Sequence, residues 1–483
     1  MEAGSERAPD RAPVLPGSDA LAVDAETMRE VGYRAIDLLV ERFAGLGEQP
    51  VIETASKEEM ERRLHEPPPA SPVPFDELLA RLATDVLPFM SRGDHPRFFA
   101  YIPTSPTWPS IIGDLLATGF NIYQGAWVES AGPSEIELVV IDWFRQWVGY
   151  PETAGGILLS GGSAANMTAL AAAADAKLGP RRHAGTIYIS TQAHSSVLRA
   201  TRVLGFPAEH VRILPVDEDF GIRLEELERA IDEDAAGGKH PFFVVANAGS
   251  TNTGSVDPLP DLAALCAERG LWLHADAAYG GFAALTERGR RALRGLALAD
   301  SITLDPHKWL YQPLEAGCCL VRDRELLRQS FYIAPDYLRD AEVAGDREIN
   351  FSDVGIQLSR RSRALKVWLS LQYFGLDAFR ATIDRCLDLT ALGQQYIEES
   401  EELELVVPAT LGVFCFRRKP AEVEDEVKLE QLNCALVARL VESGRGMVST
   451  TMLDGRCVVR FCVLNHSTSE SDVLEVLRFF ERA

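Results

Sequence analysis

The feature that most constrains the fold is an alternation of short apolar runs with helical stretches between about Trp108 and Arg363. Each run has four or five residues, is rich in Val, Ile, Leu and Phe, and lacks a polar face, as expected for a strand buried on both sides. Helical stretches between the runs include Ser163–Lys177, Leu224–Asp232 and Leu259–Arg269. This order predicts an α/β fold whose parallel or mixed sheet is covered by helices. The predicted strands are Gly156–Ser160, Thr186–Ser190, Phe242–Ala246, Leu271–Ala275, Ser301–Leu304 and Cys318–Arg322.

The segments on either side have different patterns. Residues 1–22 are rich in Pro, Gly and charge and are predicted to be disordered. Residues 23–107 are predicted to form an N-terminal arm with two amphipathic helices, over about Asp24–Leu46 and Phe75–Leu87, whose apolar stripes need a partner surface. Residues 108–363 then form a large domain, and residues 364–483 a smaller α+β domain that begins with a long helical stretch.

Composition and charge exclude several classes of protein. Hydrophobic residues make up 46% and charged residues 25%, as in soluble globular proteins, and we expect no membrane-spanning segment. The net charge of −23 repels nucleic acids and anionic membrane surfaces. The first residues lack the apolar stretch of a secretory signal, and the eight cysteines lack metal-ligand spacing. We therefore expect a cytoplasmic protein with reduced thiols and no metal.

Three predicted strand ends are followed by groups that suit a flat, anionic ligand. Ligands of such sheets bind at the carboxyl ends of the strands. The run GGSAAN (161–166) follows the first strand and begins a helix, where backbone N–H groups can bind phosphate, although many such turns contain glycine only for packing. His194 follows the second strand and could stack on an aromatic ring or simply cap a helix. A polar loop around Thr251 follows the third strand.

The next two strand ends carry a carboxylate and a lysine. Asp276, in the run HADAAYGG (274–281), can hold a proton on a ring nitrogen, although a helix cap or structural ion pair is the alternative. His274 falls on the same face but deeper and is predicted to be structural. Lys308, in the run DPHKWL (305–310), is one of only seven lysines. A lysine in such apolar surroundings can act as an imine-forming amine, whereas the alternative is a surface lysine.

The five strand ends taken together match one cofactor. Pyridoxal 5'-phosphate offers an aldehyde to Lys308, a ring nitrogen to Asp276, a ring face to His194 and a phosphate to the glycine turn. Each group alone has an ordinary structural explanation, but their common position at one edge of the predicted sheet favours a site for this cofactor.

These motifs resemble those of the pyridoxal-phosphate-dependent group II amino-acid decarboxylases, in particular the aromatic-L-amino-acid decarboxylase branch. The resemblance extends from about Met28 to Phe480 and also includes HPRFFAYIPT (95–104), AHSS (193–196) and GIQLSRR (355–361). It implies fold type I, aspartate aminotransferase-like, with a seven-stranded type of large sheet and a small C-terminal domain. It also implies a homodimer that shares its active sites and packs each N-terminal arm on the partner.

The resemblance assigns roles by motif position. Lys308 matches the lysine that binds the cofactor covalently, Asp276 the partner of the pyridine nitrogen, and His194 the ring-stacking histidine. Thr104 matches a residue near the substrate, and Tyr101, Trp127 and His194 are further candidates for substrate contact, with core packing as the alternative for the aromatic pair. The remaining candidates for cofactor contact are Ser163, Ala164, Ala165, Thr251, Ala278, Asp305 and His307.

Two positions depart from the family pattern. Asp305 stands where relatives of the animal enzyme have asparagine, which adds a carboxylate beside the cofactor phosphate. Counting back from Arg360 and Arg361 puts Phe351 at the position of a mobile-loop tyrosine that the family uses to protonate the carbanion. Because phenylalanine cannot donate a proton, this match suggests an aromatic aldehyde synthase, which decarboxylates and then uses O2.

Three hypotheses for function follow. The first is decarboxylation of an L-amino acid to the amine and CO2, with Trp, Tyr, Phe or Dopa preferred as substrate over a non-aromatic amino acid such as glutamate or diaminobutyrate. The second is the aldehyde synthase suggested by Phe351. The third is a cofactor-binding protein that has lost catalysis, against which the intact set of Lys308, Asp276 and His194 counts.

Overall fold

A seven-stranded mixed sheet organises the larger part of the chain. The computed structural model describes residues 21–333 and 348–482, so most of the segment predicted to be disordered, residues 1–20, lies outside the described residues. The strands are β1 (Gly155–Leu159), β2 (Gly185–Ser190), β3 (Val211–Leu214), β4 (His240–Asn247), β5 (Trp272–Asp276), β6 (Ser301–Leu304) and β7 (Gly317–Val321). They lie in the order β1-β7-β6-β5-β4-β2-β3. Strand β7 is antiparallel to β1 and β6, and the other neighbouring pairs are parallel.

Helices pack on this sheet as the sequence pattern predicts. The helices between residues 108 and 398 are α4 (Trp108–Gly119), α5 (Trp127–Trp147), α6 (Gly162–Leu178), α7 (Ser195–Val203), α8 (Leu224–Ala236), α9 (Leu259–Arg269), α10 (Glu287–Ala292), α11 (Glu325–Phe331), α12 (Ala364–Phe374) and α13 (Leu376–Glu398). Of these, α5, α6, α8 and α9 contact strands of the large sheet. Helix α6 contacts β1 and β4 to β7. Its small buried side chains, which include the alanine run 171–174, allow this close approach to the sheet. Strand β3 was not predicted, because its residues are only partly buried and give a weaker apolar run.

A second, four-stranded antiparallel sheet follows, as expected for an α+β region. It is formed by β8 (Leu403–Thr410), β9 (Val413–Arg418), β10 (Ser449–Leu453) and β11 (Arg456–Cys462), in the order β10-β11-β9-β8, with helices α14 (Glu426–Glu442) and α15 (Glu470–Arg482). The helical stretch predicted from residue 364 breaks at Gly375, whose φ of +75° favours glycine. Because Val367 and Leu371 of α12 pack in the core of the large sheet, that core continues past residue 363.

The described chain separates into two units. One consists of the residues up to Gln49 with Thr54–Met90, and the other of Pro50–Glu53 with the residues from Ser91 onward. The segment 91–107, assigned from sequence to the arm, therefore lies in the second unit, where the ring of Phe99 stacks on that of Phe461 with 4.1 Å between ring centroids. The domain boundaries themselves stay a prediction. Within the described ranges, no helix is long and apolar enough to span a membrane.

The first unit consists of helices that bury little of their surface. It contains α1 (Ala25–Ala44), α2 (Lys57–Leu64) and α3 (Phe75–Arg81), which continues into a π-helical turn over Leu82–Val86. Asp24 caps α1 by accepting the N–H groups of the second and third helical residues at 2.9 and 3.0 Å. In the part of the chain that the structure describes, no residue of these helices is buried.

A buried ion pair joins three segments of the second unit. Glu137 of α5 and Arg360 are fully buried, with 2.7 Å between Arg360 Nη2 and Glu137 Oε1. Arg360 also donates to the backbone carbonyls of Gln124 and Leu158, at 3.0 and 2.7 Å, and Glu137 accepts the N–H of Leu158 at 2.9 Å. The pair therefore fixes the end of β1 to α5 and to the segment around Arg360.

We expect Glu137→Gln to lower the free energy of unfolding by about 3–5 kcal/mol, because it leaves the buried guanidinium of Arg360 without a counter-charge. Urea unfolding followed by circular dichroism measures this change. The matched control is Arg361→Gln at the next residue, whose ion pair with Asp114 is 41% exposed on the arginine side and is worth about 1 kcal/mol or less. Equal losses in the two variants would contradict the role given to the buried pair.

Candidate active site

The turn between β1 and α6 is built from glycines that have no room for a side chain. Gly161 has a φ of +132°, which favours glycine. A Cβ atom on Gly162 would lie 2.9 Å from Asp305 Oδ2. A Cβ atom on Gly317 of β7 would lie 2.4 Å from the Cα of Gly161. The turn is therefore held in close contact with Asp305, which follows β6, and with Gly317, which begins β7.

The start of α6 offers backbone donors. The N–H groups of Ala164 and Ala165 already donate to the carbonyl of Gly161, at 3.0 and 3.1 Å. The N–H groups of Gly162 and Ser163 belong to the first two residues of α6 and lie at the positive end of the helix dipole. This arrangement suits an anion, as the sequence pattern predicts.

A cavity of about 370 Å3 lies beside this turn. It is lined by residues that follow β1, β2, β4, β5 and β6, which is the edge of the sheet where ligands of such folds bind. The predicted site residues that line it are Ser163, Ala164, His194, Thr251, Asp276, Ala278, Asp305, His307 and Lys308. The lining also includes residues that were not predicted, among them Asn166, Ser196, Asn247, Ser250, Tyr279 and Leu314.

Lys308 lies in a short turn after β6 and pairs with Asp305. Its Nζ is 3.1 Å from Asp305 Oδ2, and its N–H donates to the Asp305 carbonyl at 2.9 Å. The Nε2 atom of His307 lies 3.7 Å from the same Oδ2, and burial lowers the pKa of this histidine. Among the described residues, Asp305 Oδ1 has no hydrogen-bond partner. The lysine amine therefore faces the cavity beside a buried carboxylate.

Asp276 lies at the end of β5 with hydrogen bonds to both of its carboxylate oxygens. Oδ2 accepts from Asn166 Nδ2 at 2.9 Å, and Oδ1 accepts the N–H of Ala278 at 3.2 Å. His274, two residues earlier, is fully buried and contacts the Asn166 side chain at 3.0 Å. The position predicted for His274, on the same face as Asp276 but deeper, agrees with this geometry.

His194 caps α7 and also lines the cavity. Its Nδ1 accepts the N–H of Ser196 at 3.2 Å and lies 2.8 Å from the Ser196 hydroxyl. Burial lowers the pKa of His194, and the nearby Asp276 offsets only part of this effect. The imidazole is therefore neutral at pH 7. His194 can therefore cap α7 and form part of the wall of a ligand site from the same position.

Comparison with known proteins identifies the family. Residues 58–419 match the pyridoxal-dependent decarboxylase conserved domain. The chain belongs to this family. It is 41% identical to an aromatic-L-amino-acid decarboxylase from Bacillus atrophaeus, with 95% of this chain and 96% of that one covered. It is 29% identical to a phenylacetaldehyde synthase from Petunia hybrida, with 91% of each chain covered. The crystal structure of Oryza sativa TDC with PLP and tryptamine matches with a TM-score of 0.90 at 29% identity, covering 95% of this chain and 98% of that chain.

The protein is thus a pyridoxal-phosphate-dependent amino-acid decarboxylase of fold type I, as the motifs predicted. The cavity of this decarboxylase fits the cofactor. The start of α6 and its glycines leave space and donors for a phosphate, Asp276 presents a carboxylate for a ring nitrogen, and Lys308 presents an amine, all on one cavity. In the described ranges, no group of three or more His, Cys, Asp or Glu residues could hold a metal ion.

Four residues predicted to contact cofactor or substrate do not line the cavity of this decarboxylase. Ala165 is fully buried in the packing of α6. Tyr101 is 60% exposed and Thr104 half-buried in the loop before α4, and half-buried Trp127 begins α5, where its N–H donates to Asn350 Oδ1 at 2.9 Å. Within the described chain these residues therefore lie away from the cavity lining, and their contact with cofactor or substrate stays a prediction.

Phe351 also lies outside the cavity. Its ring is 1% exposed and belongs to the core of the large sheet, with the guanidinium carbon of Arg360 at 4.9 Å from the ring centroid. A side chain enclosed in this way does not reach the lining of the cavity in its own subunit. The geometry therefore gives no support to the catalytic position that counting along the chain assigned to Phe351.

Sequence reasoning also missed residues that organise the site. Arg460 of β11 donates to the backbone carbonyls of Thr251 and Tyr101, and so ties the cavity wall to the second sheet. Because Arg460 is distant in sequence from these residues, no local motif indicates that it contacts them. Asn166 lies within the quoted glycine-turn motif, but an asparagine one turn into a helix is not by itself a sign of a site.

Proposed function

We propose that this decarboxylase acts on an aromatic L-amino acid and releases the corresponding amine and CO2. The observation that carries the reaction is that Lys308 and Asp276 face one cavity beside the anion-binding start of α6. Support for an aromatic side chain comes from the relatives, one named an aromatic-L-amino-acid decarboxylase and one solved with tryptamine. The aromatic residues predicted near the substrate, Tyr101 and Trp127, lie outside the cavity and add no support.

We propose separate roles in the reaction for several residues that line the cavity. When bound, pyridoxal 5'-phosphate supplies an electron sink for the pair of electrons that the departing carboxylate leaves behind. Lys308 would hold the cofactor through its amine, and the N–H groups at the start of α6 would hold the phosphate. Asp276 would keep a proton at the pyridine nitrogen, and His194 would support the ring face. The ion pair with Asp305 keeps the amine of Lys308 at the cavity.

The aldehyde synthase alternative has one sequence observation in its favour, and a relative from Petunia carries that activity in its name. That observation is the match of Phe351 to a catalytic tyrosine, and the ring of Phe351 lies in the core rather than on the cavity of its own subunit. The amine product is therefore preferred. A non-aromatic substrate such as glutamate or diaminobutyrate remains the alternative on the substrate side.

We expect Lys308→Ala to abolish decarboxylation, with CO2 release falling at least 10³-fold, because no other amine would hold the cofactor covalently. The purified variant should also lack a visible absorbance band that borohydride bleaches. The matched control is Lys177→Ala, a lysine whose Nζ contacts only the Gly270 carbonyl among the bonds described, at 3.0 Å. Turnover and a reducible chromophore that survive in Lys308→Ala would refute the assignment.

The product decides between the two reactions. With Trp, Tyr, Phe, Dopa, glutamate and diaminobutyrate supplied in air, mass spectrometry should detect an aromatic amine, with no matching hydrogen peroxide or ammonia. We expect Phe351→Tyr to leave the ratio of amine to aldehyde unchanged, because the added hydroxyl would enter the core rather than the cavity. Peroxide formed in proportion to CO2 by the unmodified enzyme, or a shift towards amine in Phe351→Tyr, would favour the synthase.

We infer that the enzyme is a homodimer. Helices α1 to α3, as described, carry apolar residues and yet bury none of their residues. The family resemblance implies that such an arm packs on a second copy of the chain, which would cover these apolar residues. Sedimentation equilibrium at micromolar concentration should give twice the chain mass, and a monomer would contradict this. The cytoplasmic location stays a prediction, with which the free thiols of all eight cysteines are consistent.

A further inference from the structure

One amide in the site has all of its hydrogen-bonding capacity used. Asn166 Nδ2 donates to Asp276 Oδ2 and to Ser196 Oγ, each at 2.9 Å. Its Oδ1 accepts from Thr303 Oγ1 at 2.6 Å and from His274 Nε2 at 3.0 Å. A primary amide has two N–H donors and two acceptor lone pairs, so none remains. Asn166 is 3% exposed and lies between Asp276, proposed to hold the ring nitrogen, and Ser196, which contacts His194, proposed to support the ring face.

The groups at the ends of this network fix its direction. A carboxylate only accepts, so Asp276 requires the NH2 side of the Asn166 amide to face it. At the other end, the indole N–H of Trp272 only donates, and it donates to Ser301 Oγ at 2.8 Å. The Ser301 hydroxyl hydrogen is then available to His274 Nδ1, which lies 2.8 Å away. The Asp276 end therefore sets the direction of donation, and the Trp272 end is compatible with it.

This direction places the proton of His274. Because burial lowers the pKa of His274 to about 4, its ring is neutral and carries one proton. That proton lies on Nε2, since Nε2 faces the Asn166 oxygen, which only accepts, and this leaves Nδ1 to accept from the Ser301 hydroxyl. With its proton on Nε2, the neutral ring of His274 donates the second of the two hydrogen bonds that the Asn166 oxygen accepts.

The same direction places the proton of His194. The Ser196 hydroxyl accepts from Asn166, so its own hydrogen is free to be donated to His194 Nδ1 at 2.8 Å. The backbone N–H of Ser196 points at the same nitrogen at 3.2 Å. Nδ1 is thus an acceptor twice over, and the proton of the neutral ring lies on Nε2.

We propose that Asn166 is a positioning residue that acts on two of the proposed cofactor-binding groups at once. It directs hydrogen bonds into the carboxylate of Asp276 and, through Ser196, keeps the proton of His194 on Nε2. The cavity then holds a carboxylate acceptor and a neutral imidazole whose remaining N–H can donate to the ligand. The inference rests on the proposed roles of Asp276 and His194. It adds that Asn166 determines the hydrogen bonding of the Asp276 carboxylate and the tautomer of the His194 ring.

The test measures the tautomer directly in the apo-protein. Protein with 15N-labelled histidine rings is compared by NMR with a His194→Gln sample, which identifies the signals of residue 194. We expect Nδ1 of His194 to be unprotonated and Nε2 to be protonated at pH 7. A proton on Nδ1 in the unmodified protein would overturn the proposal. This measurement needs neither cofactor nor turnover, so it can fail or succeed independently of the proposed function.

Variants then test whether Asn166 is the cause. Asn166→Asp keeps the shape and removes both donors, and we expect its affinity for pyridoxal 5'-phosphate to fall about tenfold or more, because a hydrogen bond to a charged group is lost and a second carboxylate is added. We expect the His194 signals to shift as well, because the Ser196 hydroxyl turns towards the new acceptor. Ser196→Ala should alter the His194 signals in the same direction while retaining the bond between Asn166 and Asp276.

The matched control is Thr168→Val in the same helix. Its hydroxyl is buried, has no partner among the described residues, and lies outside the cavity lining, so its loss tests for general disturbance of α6. We expect this variant to keep the unmodified cofactor affinity and His194 signals. Unchanged His194 signals in Asn166→Asp, or equal effects in Thr168→Val, would overturn the proposal. If Asn166→Asp does not fold, Asn166→Ala, which removes both donors without adding a charge, decides the role of Asn166.

Discussion

A carboxylate buried at the end of a strand is costly unless donors surround it, and this condition shapes the centre of the enzyme. Asp276 receives one hydrogen bond from the backbone of Ala278 and one from the side chain of Asn166. The second bond requires α6 to begin directly beside the ends of β5 and β6, and the glycine turn after β1 makes that approach possible. The position of the start of α6 and the position of the carboxylate are therefore consequences of the same packing.

Much of the large sheet could be predicted from sequence because its strands are buried on both faces. Runs such as those at β5 and β7 are apolar throughout, and their residues are all buried. Strands β8 and β10 escaped prediction because partly exposed residues interrupt their apolar pattern. The helical stretch from residue 364 was predicted as one element, since its periodicity gives little sign that Gly375 adopts a positive φ and ends a helix there.

The site was predictable where it depends on strand ends and unpredictable where it depends on packing. Lys308, Asp276 and His194 each follow a predicted strand, so the parallel arrangement alone brings them to one edge. Phe351 was placed by counting along the chain, a method that has no information about burial. Asn166 escaped notice for a related reason, since its importance comes from four partners that are distant in sequence and are brought together only in the folded chain.

The contact between the glycine turn and β7 limits how the specificity of this enzyme can be redesigned. A side chain at position 162 would approach the carboxylate of Asp305, and one at position 317 would meet the backbone of Gly161, so either substitution requires the turn or its neighbours to shift. Leu314, in contrast, lines the cavity and is 66% exposed. Directed evolution towards larger or smaller substrates therefore has more room for substitution on the outer wall of the cavity, at Leu314, than on the wall formed by the glycine turn.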